Sequence, residues 1–247
     1  MTRTLADQQR PTGEVRAPRL LIVEDHPLFR DALIGVIGLT FPNADILQAT
    51  SIDGALDALA AQEAIDLILL DLSMPGTKGL LGAYRVRTAA PKSALAIISA
   101  HIDPRIIGSA ISLGISGYIP KSTPKAELAQ LIGGILNGAV CFPKRLRDAE
   151  AARRGRADAQ NLVRQLNALT SQQLRVLDMV CRGLQNKHIA YELDISVTTV
   201  KVHVSEILRK LGVRSRTEAI IKMSQLDFAK SDLASPMGAG RSSSGEP

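Results

Sequence analysis

The chain has 247 residues, room for one or two domains at roughly 150 residues each, and with 3% aromatic residues and no Trp its cores must be built from Leu, Ile, Val and Ala. No uninterrupted apolar stretch approaches the roughly 18 residues of a spanning helix, the N-terminus lacks an apolar signal core, and Cys141 and Cys181 form neither a metal spacing nor a disulfide framework; a cytoplasmic setting with no membrane partner is expected. The net charge of +6 is uneven, residues 16–142 summing to −1 and residues 143–247 to +7, so the second half is expected to meet a polyanion.

Residues 1–17 are polar, with Pro11 among them and Pro18 just beyond, and read as a disordered lead. From Arg19 onward short aliphatic strands alternate with amphipathic helices. Strands are predicted at 19–23, 45–49, 67–70, 94–98 and 117–119, with helices near 27–39, 53–62, 79–89, 103–113 and 124–137. Pro27 and Pro124 suit first-turn helix positions, where the missing N–H costs nothing. Five such βα repeats predict an α/β domain over 18–142, a doubly wound five-stranded parallel sheet of the flavodoxin-like kind.

Residues 143–166 are rich in Arg, Ala and Asp and thin in large apolar side chains, so they read as a solvated linker able to be helical but not to bury much. The pattern beyond is helical without strands, a small all-α domain over 167–229. Thr170 caps a helix running to about Cys181, with Gly183 as its stop, and a short helix covers about 187–193. After the turn at Asp194-Ile195, Ser196 caps a longer helix ending before Gly212, and a last helix covers about 216–226. The tail 230–247 is low in bulky apolar residues and reads as disordered.

The chemistry of the first half lies at the strand ends. Leu67-Ile68-Leu69-Leu70 ends in Asp71 and opens the turn Leu72-Ser73-Met74-Pro75-Gly76, while Leu20-Leu21-Ile22-Val23 ends in Glu24 and Asp25. Carboxyl ends of strands are where open α/β sheets build ligand sites. Three acids delivered to one edge make an oxygen site for a hard divalent cation, with a backbone carbonyl near Ser73 as a further donor. Ser99 and Lys121 follow the next two strands and can hold phosphoryl oxygens. Taken singly, a strand-ending Asp is usually a turn cap and a Lys after a strand is usually solvated; together they suit phosphoryl transfer onto a carboxylate. His26 reads as structural beside the start at Pro27, and His101 as a loop residue.

The segments LLIVEDHPLFR, LILLDLSMPG, AIISA and GYIPKST closely resemble the receiver domain of two-component response regulators, across essentially all of 19–142. The resemblance implies Asp71 as phosphoacceptor, Glu24 and Asp25 as the acidic pair handling Mg2+, Ser99 and Tyr118 as the switch pair, and Lys121 as the phosphate-sensing lysine. Serine at position 99 stands where many members carry threonine, which keeps the hydroxyl.

In the second half, the turn Leu193-Asp194-Ile195-Ser196 between a short and a long helix makes a helix-turn-helix pattern. Val200, Val204, Ile207, Leu208 and Leu211 share the inward face of the long helix, and a cationic, polar face remains for a major groove. TTVKVHVSEILRKLGV and NKHIAYEL resemble the LuxR/NarL-type DNA-binding domain. The resemblance implies Lys201, Val202 and Ser205 as base readers, and Asn186, Lys187, Thr198, Thr199 and Arg209 as phosphate contacts. His203 reads as structure or a backbone contact. Gln172-Gln173 replaces a usual Arg-Glu pair, which is expected to loosen that helix end; His188 replaces a frequent Glu, and Ser205 stands where some relatives carry Lys.

The expected whole is a non-enzymatic, phosphorylation-controlled regulator of the NarL/FixJ family. It takes a phosphoryl group at Asp71 from a sensor histidine kinase and binds double-stranded DNA as a homodimer. Phosphate would act through dimerisation or by unmasking the 197–211 helix. Against this stand a phosphate-independent transcription factor with a vestigial receiver, a signalling protein acting by protein contacts, and a phosphatase-like enzyme using Asp71 as nucleophile, for which no second acid is placed as a general base.

Overall fold

The computed structural model describes residues 16–61, 64–74, 80–143 and 149–224; the expected lead falls almost wholly outside them and the expected tail entirely. The first part alternates β1 (Arg19–Val23), α1 (Pro27–Thr40), β2 (Asp45–Ala49), α2 (Ile52–Ala61), β3 (Leu67–Asp71), α3 (Leu80–Ala89), β4 (Ala94–Ser99), α4 (Pro104–Ser112), β5 (Gly117–Pro120) and α5 (Lys125–Leu136). All pairings are parallel and the strand order is β2-β1-β3-β4-β5. The order reverses between β1 and β3, which opens the crevice that doubly wound folds use for ligands.

Successive residues of a strand point to opposite faces, and the sheet sorts its side chains accordingly. Leu20, Ile22, Leu67, Leu69, Ile98 and Ile119 pack under α1 and α5, against Leu33, Ile37, Leu128 and Ile132. Leu21, Val23, Ile68, Leu70, Ile97 and Tyr118 pack the other way, toward α2, α3 and α4. Pro27 opens α1, as its fixed φ allows, whereas Pro124 is the N-cap of α5, one place earlier than a first-turn proline.

The second part holds α6 (Ala149–Asn167), α7 (Ser171–Cys181), α8 (Asn186–Leu193), α9 (Val197–Leu211) and α10 (Arg216–Ser224). The turn between α8 and α9 depends on Asp194, which takes the left-handed conformation at φ 52° that a short polar side chain tolerates. Ser196 then caps α9 by accepting the Thr199 N–H at 3.0 Å. Gly212 ends α9 at φ 64°.

Two expectations fail here. The expected linker buries more than foreseen along one stripe: α6 packs along α4, burying Ala159, Leu162 and Leu166, with the Ser112 hydroxyl donating to the Arg156 carbonyl at 3.2 Å, while Arg153, Arg156, Asp158 and Arg164 stay exposed. Spacings of three and four residues put those three side chains on one stripe, too sparse to stand out in a run of Arg, Asp and Ala. Nor is the start of α7 loosened by Gln172-Gln173. Thr170 accepts the Gln173 N–H at 3.2 Å and Gln173 Oε1 accepts the Thr170 N–H at 3.1 Å, a closed capping box.

Candidate functional site

Strand register places the first constellation. Val23 pairs with Leu70, so the next residues along those strands, Glu24 and Asp71, emerge side by side at the crevice. Ser99 pairs with Pro120, and the Lys121 N–H donates to the Ser99 carbonyl at 2.8 Å, which brings the remaining two side chains to the same edge. Glu24 and Asp71 are both buried.

Two carboxylates buried together repel unless a cation lies between them. Lys121 provides one: its Nζ is 2.7 Å from Glu24 Oε2 and 3.0 Å from Asp71 Oδ2, over the Phe29 ring at 4.6 Å from its centroid. Asp71 Oδ1 accepts the Ser73 N–H at 2.9 Å. Burial outweighs both donors and holds the Asp71 carboxyl above its ordinary value. Burial alone would depress the Lys121 ammonium, but its bonds to Glu24 and Asp71 prevail and raise it.

The donor set fits a hard cation. Glu24, Asp25, His26 and Asp71 each offer a ligand atom, all within 4.8 Å of one another. Asp25 Oδ1 is shut off from solvent, with His26 Nδ1 3.0 Å away. Ser73 itself is exposed.

Ser99 and Tyr118 are both buried. The Tyr118 hydroxyl donates to the His101 carbonyl at 2.6 Å, and the His101 N–H donates to Ser99 Oγ at 3.2 Å, so both switch candidates grip one loop before α4. Tyr118 is therefore already inward.

On the second part, Lys201, Val202, Ser205 and Arg209 project from one exposed side of α9, with Thr198 and Thr199 exposed at its first turn and Lys187 exposed on α8. Among the described residues, neither the receiver-like part nor α6 covers this face. Four of the candidates have other partners, Ser205 Oγ donating to the Lys201 carbonyl at 3.0 Å. Arg209 is paired with Glu206 at 2.8 Å, Thr199 Oγ1 lies 2.8 Å from Ser196 Oγ, and Asn186 Oδ1 accepts from Arg216 at 3.2 Å.

Sequence reasoning missed several members. His26 Nδ1 is 2.9 Å from Glu24 Oε1 and 3.0 Å from Asp25 Oδ1, so it belongs to the acidic cluster rather than only to the helix start. Arg30 donates to the Glu24 carbonyl at 3.0 Å. Position one turn into α1 was the available signal for Phe29 and Arg30, since the start of a helix following β1 must pass over that strand's end.

Residues 20–133 match the family described as response regulator receiver domain, and residues 167–223 match bacterial regulatory proteins of the luxR family. The glycerol metabolism activator of Pseudomonas putida is 41% identical over 213 residues, covering 85% of this chain and 96% of that protein. The nitrate/nitrite response regulator protein NarL of Escherichia coli K12 is 30% identical over 206 residues, covering 83% of this chain and 94% of that protein. Among solved structures, a LuxR family DNA-binding response regulator from Silicibacter pomeroyi is 31% identical, covers 52% of this chain and 98% of its own, and superposes with a TM-score of 0.46.

Proposed function

This chain belongs to the response regulators that join a receiver domain to a LuxR-type helix-turn-helix domain, and from that membership we propose that Asp71 is its phosphoacceptor and that the outer face of α9 reads double-stranded DNA. We assign the receiver to residues 18–142, the connecting segment to 143–166 and the DNA-binding domain to 167–229.

The observation that carries the first assignment is the neighbouring exit of Glu24 and Asp71 from paired strands, bridged by Lys121. An Asp71 oxygen forms the new bond to phosphorus as the nitrogen–phosphorus bond of a kinase phosphohistidine breaks. The imidazole leaves with that electron pair and takes up a proton. Lys121, bound to both carboxylates beforehand, neutralises the phosphoryl oxygens, and the Ser99 hydroxyl donates to one of them. Glu24, Asp25, Asp71 and the backbone carbonyl near Ser73 are the residues that would hold Mg2+, which when bound supplies charge neutralisation between carboxylate and phosphoryl group.

For DNA, Lys201, Val202 and Ser205 meet base edges, while Lys187, Thr198, Thr199, Asn186 and Arg209 meet phosphates, which fix position more than sequence. A homodimer on a paired site would set two α9 helices one turn of DNA apart. The reading is tested with a small phosphodonor and Mg2+. The full chain should take up one label per molecule and the Asp71→Asn variant none; label on that variant would remove Asp71 from the role.

A further inference from the structure

For more than a full turn each, α3 and α4 are buried on every side. Seven consecutive residues of α3, Leu80 to Val86, and five of α4, Ile106 to Ala110, are buried. A turn takes about 3.6 residues, so both runs go all the way round. The sheet accounts for one side only. α6 and α7 cover the other, and the apolar core runs unbroken from Ile97 through Tyr84 and Leu166 to Val176 and Leu211.

One of the buried α3 residues is Arg85, a charge that such a position tolerates only when paired. Its Nη2 is 2.8 Å from Asp53 of α2, and its Nη1 is 3.1 Å from Asp178 of α7. Asp53 in turn is 2.8 Å from Arg182 at the end of α7, and Arg182 closes the ring onto Asp178. Two acids and two arginines thus alternate across the boundary, each domain giving one of each sign. Beside them, Tyr84 donates its hydroxyl to Asn167 Oδ1 at 2.6 Å. A cleft of about 690 Å3, lined also by Asp57, Arg175 and Glu192, brings solvent to the ring.

We propose that Asp53, Arg85, Asp178 and Arg182 form an electrostatic latch that holds the DNA-binding domain on the α3–α4 face of the receiver, so that this face becomes available only when the latch opens. The ring is half-exposed: Asp53 and Arg182 keep 52% and 30% of their side-chain surface open. Salt therefore reaches it and weakens it, whereas the apolar α4–α6 seam is not weakened by screening. The latch leaves the outer face of α9 uncovered, so its opening changes what the receiver presents and not whether the reading helix is exposed.

Hydrogen exchange of the full chain, resolved by peptide, tests this. Asp53→Ala and Arg182→Ala replace side chains that are not core, so both variants should fold. Each should speed exchange several-fold in α3, α4 and α7 while leaving α1 and α5, on the opposite face, as in the parent chain. The double variant should exchange little faster than either single one, because both remove the same cross-boundary contact, Asp53–Arg182. Raising salt should speed the same segments in the parent and much less in the double variant. No change in those segments would overturn the latch, leaving the apolar seam to hold the domains by itself. Acceleration spread equally over α1 and α5 would overturn it too, as general destabilisation.

Discussion

The Tyr118 hydroxyl donates to the His101 carbonyl at 2.6 Å, tying the last strand of the sheet to the loop that precedes α4. Burial, which penalises the charged phenolate, pushes the Tyr118 hydroxyl up to about 12, with Asp103 and Asp71 adding repulsion. The phenol therefore stays a donor at any physiological pH. Its folded value lies above the ordinary 10, so the stability it contributes is complete below pH 10 and is lost as pH rises through about 12. The difference in ultraviolet titration between the parent chain and Tyr118→Phe isolates this group. It should ionise near 12, and a difference titration centred near 10 would contradict the buried bond.

Lys121 is the counter-charge for Glu24 and Asp71. Removing it in Lys121→Ala leaves two carboxylates without compensation, and breaking such a pair costs roughly 2–3 kcal/mol once the partial access of water to a side chain 17% exposed is allowed for. Urea unfolding of the receiver should show this loss. The double variant Lys121→Ala, Asp71→Asn should recover much of it, because only one acid then remains to be neutralised.

Asp71→Asn by itself points the other way. Burial raises the Asp71 carboxyl, so its ionised form disfavours the fold at neutral pH, and the penalty disappears as pH falls through the raised value. A neutral amide can keep the Ser73 bond without the charge. The variant should melt higher at pH 7, on a scale where each kcal/mol is worth about 2–4 °C in a chain of this length, and the difference should shrink in acid. A lower melting temperature would mean that Lys121 more than offsets the repulsion.

At the start of α7, Thr170→Ala removes one half of the capping box and should cost about 1 kcal/mol. Gln173→Ala should cost more. Gln173 Oε1 also accepts Lys210 Nζ at 2.8 Å, a bond that fastens the end of α9 to the start of α7. Thermal melts followed at the helical signal would rank the two, and an equal cost would mean that the Lys210 bond contributes nothing.

The receiver pocket was legible because its parts all end strands: an aliphatic run followed by an acid, a serine or a lysine signals both the element and the edge it reaches. Apart from α6, the elements themselves were legible almost to the residue, since period and caps agree at Pro27, Thr170, Ser196 and Gly212. What the chain does between its two domains was not. Asp53 and Arg182 are 129 residues apart, and nothing local marks either as a partner. Asp53 reads as a first-turn acid on α2 and Arg182 as a cation after α7, each already explained by its own helix dipole. The stripe of Ala159, Leu162 and Leu166 does not stand out in the sequence, because a helix that docks on one neighbour needs only a narrow apolar seam.

On the reading face, Arg209 is not a free cation. It pairs with Glu206 at 2.8 Å, one turn back on α9, with both side chains largely in water. A phosphate approaching Arg209 must displace or share that carboxylate, and Glu206 repels the phosphate directly. Glu206→Ala should therefore tighten binding to a mixed-sequence duplex and steepen its salt dependence by about one counterion, as one more phosphate is neutralised. Lys201→Ala should weaken binding, and its effect should be larger on a preferred sequence than on a mixed one if Lys201 meets base edges. Fluorescence anisotropy across a salt series gives both the affinity and the slope. Unchanged binding in Glu206→Ala would mean that Arg209 stays clear of the DNA backbone, while an equal loss on all sequences in Lys201→Ala would move that residue from base reading to phosphate contact.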